Sequence, residues 1–314
     1  MDDCGIFTHK GELDLHRKIT RDFFTILRKN SLFLKPSKCL FEVIGINFLG
    51  LRLTSAGITI TPDKLSAIAD WPRTPRNLKD LRKVLGVLGY QCPFILGFAS
   101  IARPMTALLK KGADFIWTKE CLRALDTLIK VVCSSPVLVA PNQNRQFELE
   151  VDASQFALGA ILWQRDPASP KKLRAVSYYS SMLNPAEMNY KIHDQELLAI
   201  IRALCHWSHL LCMTVLPIII WTDHKNLTYW AAPQKVGPRA ATWQVELQQY
   251  NYELRHKPGE QNKADALSRQ PDYDRENPMN SHLIVLPLDH FAGMPLSILE
   301  SLEQHPHIKC SACM

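Results

Sequence analysis

Four acids of this 314-residue sequence sit where a carboxylate can do more than keep a surface wet: Asp152, Glu196, Asp223 and Asp265. Grouped carboxylates are the natural ligands of hard divalent cations. Asp152 falls in FELEVDASQFALGAILW (147–163), where Phe147, Leu149 and Val151 alternate with Glu148, Glu150 and Asp152. That period of two predicts a half-buried strand, Ala153 and Ser154 open a turn, and a second apolar run completes a β-hairpin. An Asp at a strand end is also a common turn former. Glu196 shares a helical stripe with Ile192, Ala199, Ile200, Ala203 and Trp207, all apolar. A Glu there lies at the margin of the core or is held by a cation, since an unpaired buried carboxylate is costly. Asp223 ends LPIIIWTD (216–223), and ligands of α/β sheets gather where such strands end. Asp265 follows Asn262 by three residues, a spacing that an ordinary N-cap with an acid in the first turn also explains.

The elements that must carry these acids are legible from periodicity. Strands are expected at about 147–152, 157–164 and 174–180, followed by a long helix that begins near Asn184–Pro185 and runs to about Leu211. The unbroken apolar run of 216–223 predicts a strand buried on both faces, central in a mixed sheet. Residues 239–249 read as helix, 250–256 as strand and 262–269 as a short helix. Upstream, MDDCGIFT reads as a turn and short strand, Gly11 to Lys29 as a helix, and 33–60 as short strands with turns at Gly45, Gly50 and Ser55 to Gly57. Helices are expected from Pro62, from Pro75, over Ile101 to Lys111 and over Thr118 to Cys133.

Composition bounds the class. Hydrophobic residues make up 46% and charged residues 21% of the chain, as in soluble globular proteins. The acidic start has no basic region ahead of an apolar one, so no signal peptide is expected. The longest apolar run, about Leu210 to Trp221, is too short to span a bilayer, and no membrane partner is expected. Nine scattered cysteines fit reduced thiols and an intracellular (cytoplasmic or nuclear) setting. Of the net charge of +7, six arise between Pro62 and Gly112, where nine basic residues face three acids. On the helix after Pro75, Leu78, Leu81, Leu85 and Leu88 fall on one face, with Arg76, Lys79, Arg82 and Lys83 on another. The basic face is either solvated or in contact with the phosphates of a polyanion.

Several separate motifs share one resemblance. FELEVDASQFALGAIL, YYSSMLNPAEMNYKIHDQELLAI, WTDHKNL and HKPGEQNKADALSR stand in the order and spacing of the ribonuclease H domain of gypsy-type LTR retrotransposon polyproteins. Residues 145–270 resemble that domain. Upstream, MDDCGIF matches the YxDD motif of the reverse transcriptase palm, less its tyrosine, with Asp2 and Asp3 as its acids. INFLGLRL (46–53) resembles the primer-grip hairpin, and ASIARPMTALLKKGADFIWT lies in a segment similar to the one that follows. The chain departs from the family at Gly89–Tyr90–Gln91–Cys92–Pro93, where an aromatic and one or two arginines are usual.

The resemblance implies an α/β architecture: a truncated palm end with a primer-grip-like hairpin (1–61), a basic helical thumb/connection region (62–136), a linker (137–144), a ribonuclease H-like five-stranded mixed sheet with helices (145–270) and a polar tail (271–314). It also implies a four-acid site of Asp152, Glu196, Asp223 and Asp265. This site would hold two Mg²⁺ ions, or Mn²⁺, and hydrolyse the RNA strand of an RNA/DNA hybrid. Asp152 would bridge the two ions, and 2′-hydroxyl contacts would select the hybrid. Because most of the palm precedes the YxDD motif, polymerase activity is not expected. The alternative is a catalytically silent remnant that folds and binds nucleic acid only. The oligomeric state is not legible. His305, His307, Cys310 and Cys313 are of zinc-ligand type but do not match the family's zinc spacing.

Overall fold

The computed structural model describes residues 4–8, 11–154, 156–166, 169, 171–222 and 238–257. It divides the chain into two compact units, Met1–Lys64 and Leu65–Met314.

The first unit comprises helix α1 (Leu13–Lys29) and an antiparallel meander of β1 (Ile46–Phe48), β2 (Leu51–Thr54) and β3 (Gly57–Ile60). Residues 4–8 form no strand, contrary to expectation, and 33–45 contribute one short 3-10 turn rather than strands. The β1–β2 connection is the two-residue loop Leu49–Gly50, both with positive φ (50° and 75°), the twist that a tight hairpin demands. Glycine suits position 50 because its φ of 75° lies in the left-handed region that other residues rarely adopt. Among the described residues of this unit only Gly57, Ile60 and Thr61 are buried, so the unit builds no hydrophobic core of its own. Asp2 and Asp3 lie outside the described residues.

The second unit opens with helices. These are α2 (Pro62–Ala69, which spans the division), α3 (Leu78–Tyr90), α4 (Phe98–Ala107) and α5 (Lys119–Cys133). Asn77 caps α3 by accepting the Asp80 N–H (2.9 Å), and Thr118 caps α5 by accepting that of Cys121 (3.3 Å). On α3 the buried stripe is Leu81, Val84 and Leu88, with Leu78 and Leu85 half-buried at its edges.

A five-stranded mixed sheet follows, in the order β6-β5-β4-β7-β8. Its strands are β4 (Phe147–Ala153), β5 (Ala157–Arg165), β6 (Leu173–Met182), β7 (Ile218–Thr222) and β8 (Tyr252–His256). The first three are antiparallel neighbours, while β7 runs parallel to both β4 and β8, as its apolar run predicts for an interior strand. Helices α6 (Ile192–His206), α7 (Ser208–Leu211) and α8 (Pro238–Leu247) supply the crossovers that parallel strands need. Phe147, Leu149, Val151, Ile218 and Ile220 form one core with Leu197, Ile200, Ala203 and Trp207. The 137–144 stretch, read as a linker, is stitched to this sheet. The Val139 N–H donates to the Ala175 carbonyl (2.8 Å), and the Gln164 side chain bonds both backbone groups of Asn142.

Two sequence expectations need correction. The long helix starts at Ile192, not near Asn184–Pro185. Asn184 Oδ1 accepts the Glu187 N–H and Glu187 Oε2 accepts the Asn184 N–H, both at 2.9 Å. This reciprocal box closes only a 3-10 turn, Glu187–Asn189, before the chain extends through Tyr190 and Lys191. And β4 is not half-buried: Phe147 to Asp152 are all buried, on both faces of the sheet's middle strand. The expected helix over 262–269 lies outside the described residues.

Candidate active site

Asp152 is the penultimate residue of β4 and pairs with Gly159 of β5, so it belongs to the ladder and not to the turn. The turn itself is made by Ser154, whose Oγ donates to the Ala157 carbonyl (2.7 Å) and accepts the Ala157 N–H (3.0 Å). This holds the strand end that presents Asp152, which is 4% exposed.

Glu196 lies on α6, which packs directly on β4. It is 3% exposed, so the margin-of-core reading is set aside. Ala199, Ile200, Ala203 and Trp207 of its stripe are buried as expected, but Ile192 is 71% exposed. As the first residue of α6, Ile192 points back beyond the helix end and off the core. The stripe is a weak guide in any case, because Gln195 to Leu204 are all buried except half-buried Arg202.

The turn that leads into α6 is tied back to the helix. Arg202 donates to Glu187 Oε1 at 2.6 Å, and Gln195 Nε2 donates to the carbonyls of Glu187 (3.2 Å) and Met188 (3.3 Å). Neither Arg202 nor Glu187 stands out in the sequence, although the N-x-x-E spacing of Asn184 and Glu187 is a capping-box signal.

The structure thus sets Asp152 and Glu196, both buried, on two elements in contact. Asp223 and Asp265 lie outside the described residues. Thr222, which precedes Asp223, closes β7 and is fully buried. Among the described residues no three metal-ligating side chains cluster.

Beside Asp152 the same face of β4 carries two further acids, Glu148 and Glu150, each 1% exposed. Glu148 accepts from Trp221 Nε1 (2.9 Å) and pairs with Arg165 (2.5 Å). Glu150 accepts from Trp163 Nε1 (3.1 Å) and from the Lys257 ammonium. These partners lie on β5, on β7 and just past β8, and no local signal links them to β4.

On α3 and just before it, Arg76, Lys79, Arg82 and Lys83 are all exposed, with Lys83 3.5 Å from Asp80. Two other basic residues of the same region are used internally. Arg73 donates to Asp126 (2.9 Å) and to the Ala69 and Trp71 carbonyls, and the Arg103 guanidinium lies 4.0 Å from the centre of the Phe156 ring. Among the described residues no helix is long and apolar enough to cross a membrane.

A family described as an RNase H-like domain found in reverse transcriptase matches residues 117–218, a range that runs from the residue before the α5 cap through α6 to the first residue of β7. The Tf2-3 transposon polyprotein of Schizosaccharomyces pombe is 35% identical over 286 residues, covering 90% of this chain and 21% of the relative. The Tf2-7 polyprotein of the same yeast is 34% identical over 282 residues, covering 88% and 21%. The chain therefore spans about a fifth of the length of the polyproteins it matches. Among solved structures, a foamy viral protease-reverse transcriptase in complex with double-stranded DNA superposes with a TM-score of 0.66 at 19% identity. It covers 80% of this chain and 44% of that one. The foamy viral enzyme in complex with an RNA/DNA hybrid gives 0.65 at 20% identity, with 80% and 34% covered. At that identity the likeness establishes the fold.

Proposed function

Because the chain is a segment of the LTR-retrotransposon polyprotein family and carries its RNase H-like domain, we propose that it hydrolyses the RNA strand of RNA/DNA hybrids. The observation that carries this reading is the pair of buried carboxylates, Asp152 closing the central strand and Glu196 on the helix packed against it. The donor set fits Mg²⁺ or Mn²⁺: it is all carboxylate oxygen, and two buried anions on adjoining elements favour a nearby cation. Asp152, Glu196, Asp223 and Asp265 would be its ligands. Two such ions, when bound, supply an activated water and stabilise the leaving oxygen of an in-line displacement.

The chain's own contribution is to fix those oxygens and to hold the substrate. The Ser154 turn fixes the end of β4, and the Glu187–Arg202 pair ties the turn that leads into α6 to the body of that helix. The exposed row Arg76, Lys79, Arg82 and Lys83 would follow the backbone phosphates, and contacts to 2′-hydroxyls would separate hybrid from DNA duplex. That one foamy viral neighbour is complexed with an RNA/DNA hybrid supports this choice of ligand. Polymerisation is not proposed, since the first unit buries only three of its described residues.

The test is direct. Purified chain is incubated with an end-labelled hybrid and Mg²⁺, alongside Asp152→Asn. Cleavage of the RNA strand by the wild type and its loss in the variant, with hybrid binding retained, is the expected result. Wild-type cleavage no higher than that of the variant refutes the enzyme. Salt-dependent binding of the hybrid without cleavage would instead mark a nucleic-acid-binding remnant.

A further inference from the structure

Lys257 stands at a junction that the four-acid reading does not use. Its backbone N–H donates to the Thr222 carbonyl (2.9 Å), so it closes the β7–β8 ladder at the end of β7 from which the chain runs on to Asp223. Its ammonium reaches across β7 to Glu150 on β4 and lies 5.8 Å from the centre of the Trp221 ring. Glu150 precedes Asp152 by two residues and projects from the same face of the strand, about 7 Å along it. Both oxygens of the Glu150 carboxylate are engaged, one by Lys257 and the other by Trp163 Nε1 (3.1 Å) on β5. One lysine therefore ties the ends of β7 and β8 to the middle of β4, two residues before the Asp152 carboxylate near the end of that strand.

We propose that Lys257 is a positioning residue for the metal-binding carboxylates, acting through Glu150. This rests on the nuclease reading above and deepens it. An ion pair this well buried is a costly way to gain stability, because an apolar pair of similar volume does as well or better. What an ion pair adds is direction: the carboxylate plane of Glu150 is set by two donors from opposite sides, and β4 is held in one place between β5 and β7. A further consequence is that Glu150, engaged at both oxygens, is withheld from the divalent cations that Asp152 would bind.

Opposite charge changes separate this role from a simple field effect. Lys257→Met removes a positive charge near the site and Glu150→Gln removes a negative one. An influence exerted only through the electrostatic field would therefore move divalent-ion affinity in opposite directions in the two variants. If the pair acts by positioning, both variants move it the same way. The experiment uses the full chain and two readouts, Mn²⁺ affinity by electron paramagnetic resonance and turnover on a labelled hybrid. Circular dichroism confirms that each variant is folded. The expected result is that both variants weaken Mn²⁺ binding and turnover by about 10-fold, the low end of the range for removing a group bonded to a metal ligand, since the pair acts on Asp152 through the strand and not by contact. The double variant should be no worse than the poorer single one, and Lys257→Arg should recover most of the loss. Opposite shifts in the two single variants, or no shift in either, overturns the proposal. Should the Met variant not fold, Lys257→Gln, which also removes the positive charge, takes its place under the same criterion: weaker Mn²⁺ binding in both it and Glu150→Gln supports the proposal, and tighter or unchanged binding in Lys257→Gln overturns it. Wild-type chain that binds Mn²⁺ but cuts nothing would sink the nuclease reading while leaving the Mn²⁺ titration to judge the lysine. Wild-type chain that does neither would sink both.

Discussion

The Glu187–Arg202 brace can be tested by taking away one charge and leaving the other behind. Arg202→Met keeps most of the aliphatic stem and removes the guanidinium that meets Glu187 Oε1 at 2.6 Å. The Glu187 carboxylate, its side chain only 10% exposed, then keeps the Asn184 N–H on its other oxygen but is left without the Arg202 cation. Removing one member of a fully buried pair costs about 3–5 kcal/mol. The Arg202 side chain is 28% exposed, so water can reach the vacated side; this reduces the expected cost to about 2–3 kcal/mol. For a unit of this size each kcal/mol moves the midpoint by about 2–4 °C, which predicts a drop in Tm of about 4–12 °C. Glu187→Gln keeps one accepting oxygen for the two donors that Glu187 satisfies on its two oxygens and turns an NH2 toward the other, so it should cost about 1–2 kcal/mol. The double variant leaves no orphaned charge and should therefore cost less than the sum of the singles by at least about 1 kcal/mol. Urea and thermal unfolding followed by circular dichroism supply all four corners of the cycle. A drop of less than about 2 °C for Arg202→Met, or strict additivity in the cycle, would show that the pair does not hold the lead-in turn to α6.

Two further outcomes follow from charge. Replacing Arg76, Lys79, Arg82 and Lys83 by Ala should weaken hybrid binding across all sequences. It should also flatten the slope of log K against log salt by up to about 0.9 for each phosphate that is no longer neutralised; fluorescence anisotropy at several salt concentrations measures both. His206, open to solvent on one side and packed 4.6 Å from the centre of Tyr179 and 5.5 Å from that of Trp207 on the other, is held below its ordinary pKa of 6.5 by partial desolvation and then by the neighbouring His209. A group whose charged form is disfavoured in the fold contributes stability that is full above its unfolded pKa and declines as pH falls through it. The urea midpoint should therefore fall as pH is lowered from neutrality through the ordinary histidine range, and His206→Gln should shrink that fall.

The residues that the sequence exposes most clearly are those whose partners are near in the chain. The alternation of Phe147, Leu149 and Val151 locates β4, and the Ile218 to Ile220 run correctly marks β7 as interior. Alternation cannot say that β4 is buried on both faces, because Glu148 and Glu150 look like solvent-facing residues. Their partners Trp163, Arg165, Trp221 and Lys257 are 13 to 107 residues away. Asn184 and Pro185 do carry a cap signal. Yet the box that Asn184 and Glu187 close satisfies a single turn, and the geometry of Tyr190 and Lys191 sends the chain out of the helical region before Ile192 begins it again. Of the candidate site, type and spacing single out Asp152 and Glu196 but leave a turn former and a core-margin residue as alternatives, and the family resemblance is what joins them. The brace and the Lys257 junction, being tertiary, are not legible in the sequence.

The buried acids of β4 bear on how such a site keeps its register. A central strand with apolar residues on both faces can slip against its neighbours, and a slip of one residue turns every side chain to the opposite face. Here Glu148 and Glu150 are tied to β5 through Arg165 and Trp163, to β7 through Trp221, and to the end of β8 through Lys257. A one-residue slip would break all four of these ties at once and leave two carboxylates buried without partners, each costing several kcal/mol. Slipped pairings are thereby penalised far more than a change in apolar packing alone would achieve. The acid that benefits is Asp152, two residues on from Glu150: with β4 pinned from both sides, it can face only one way.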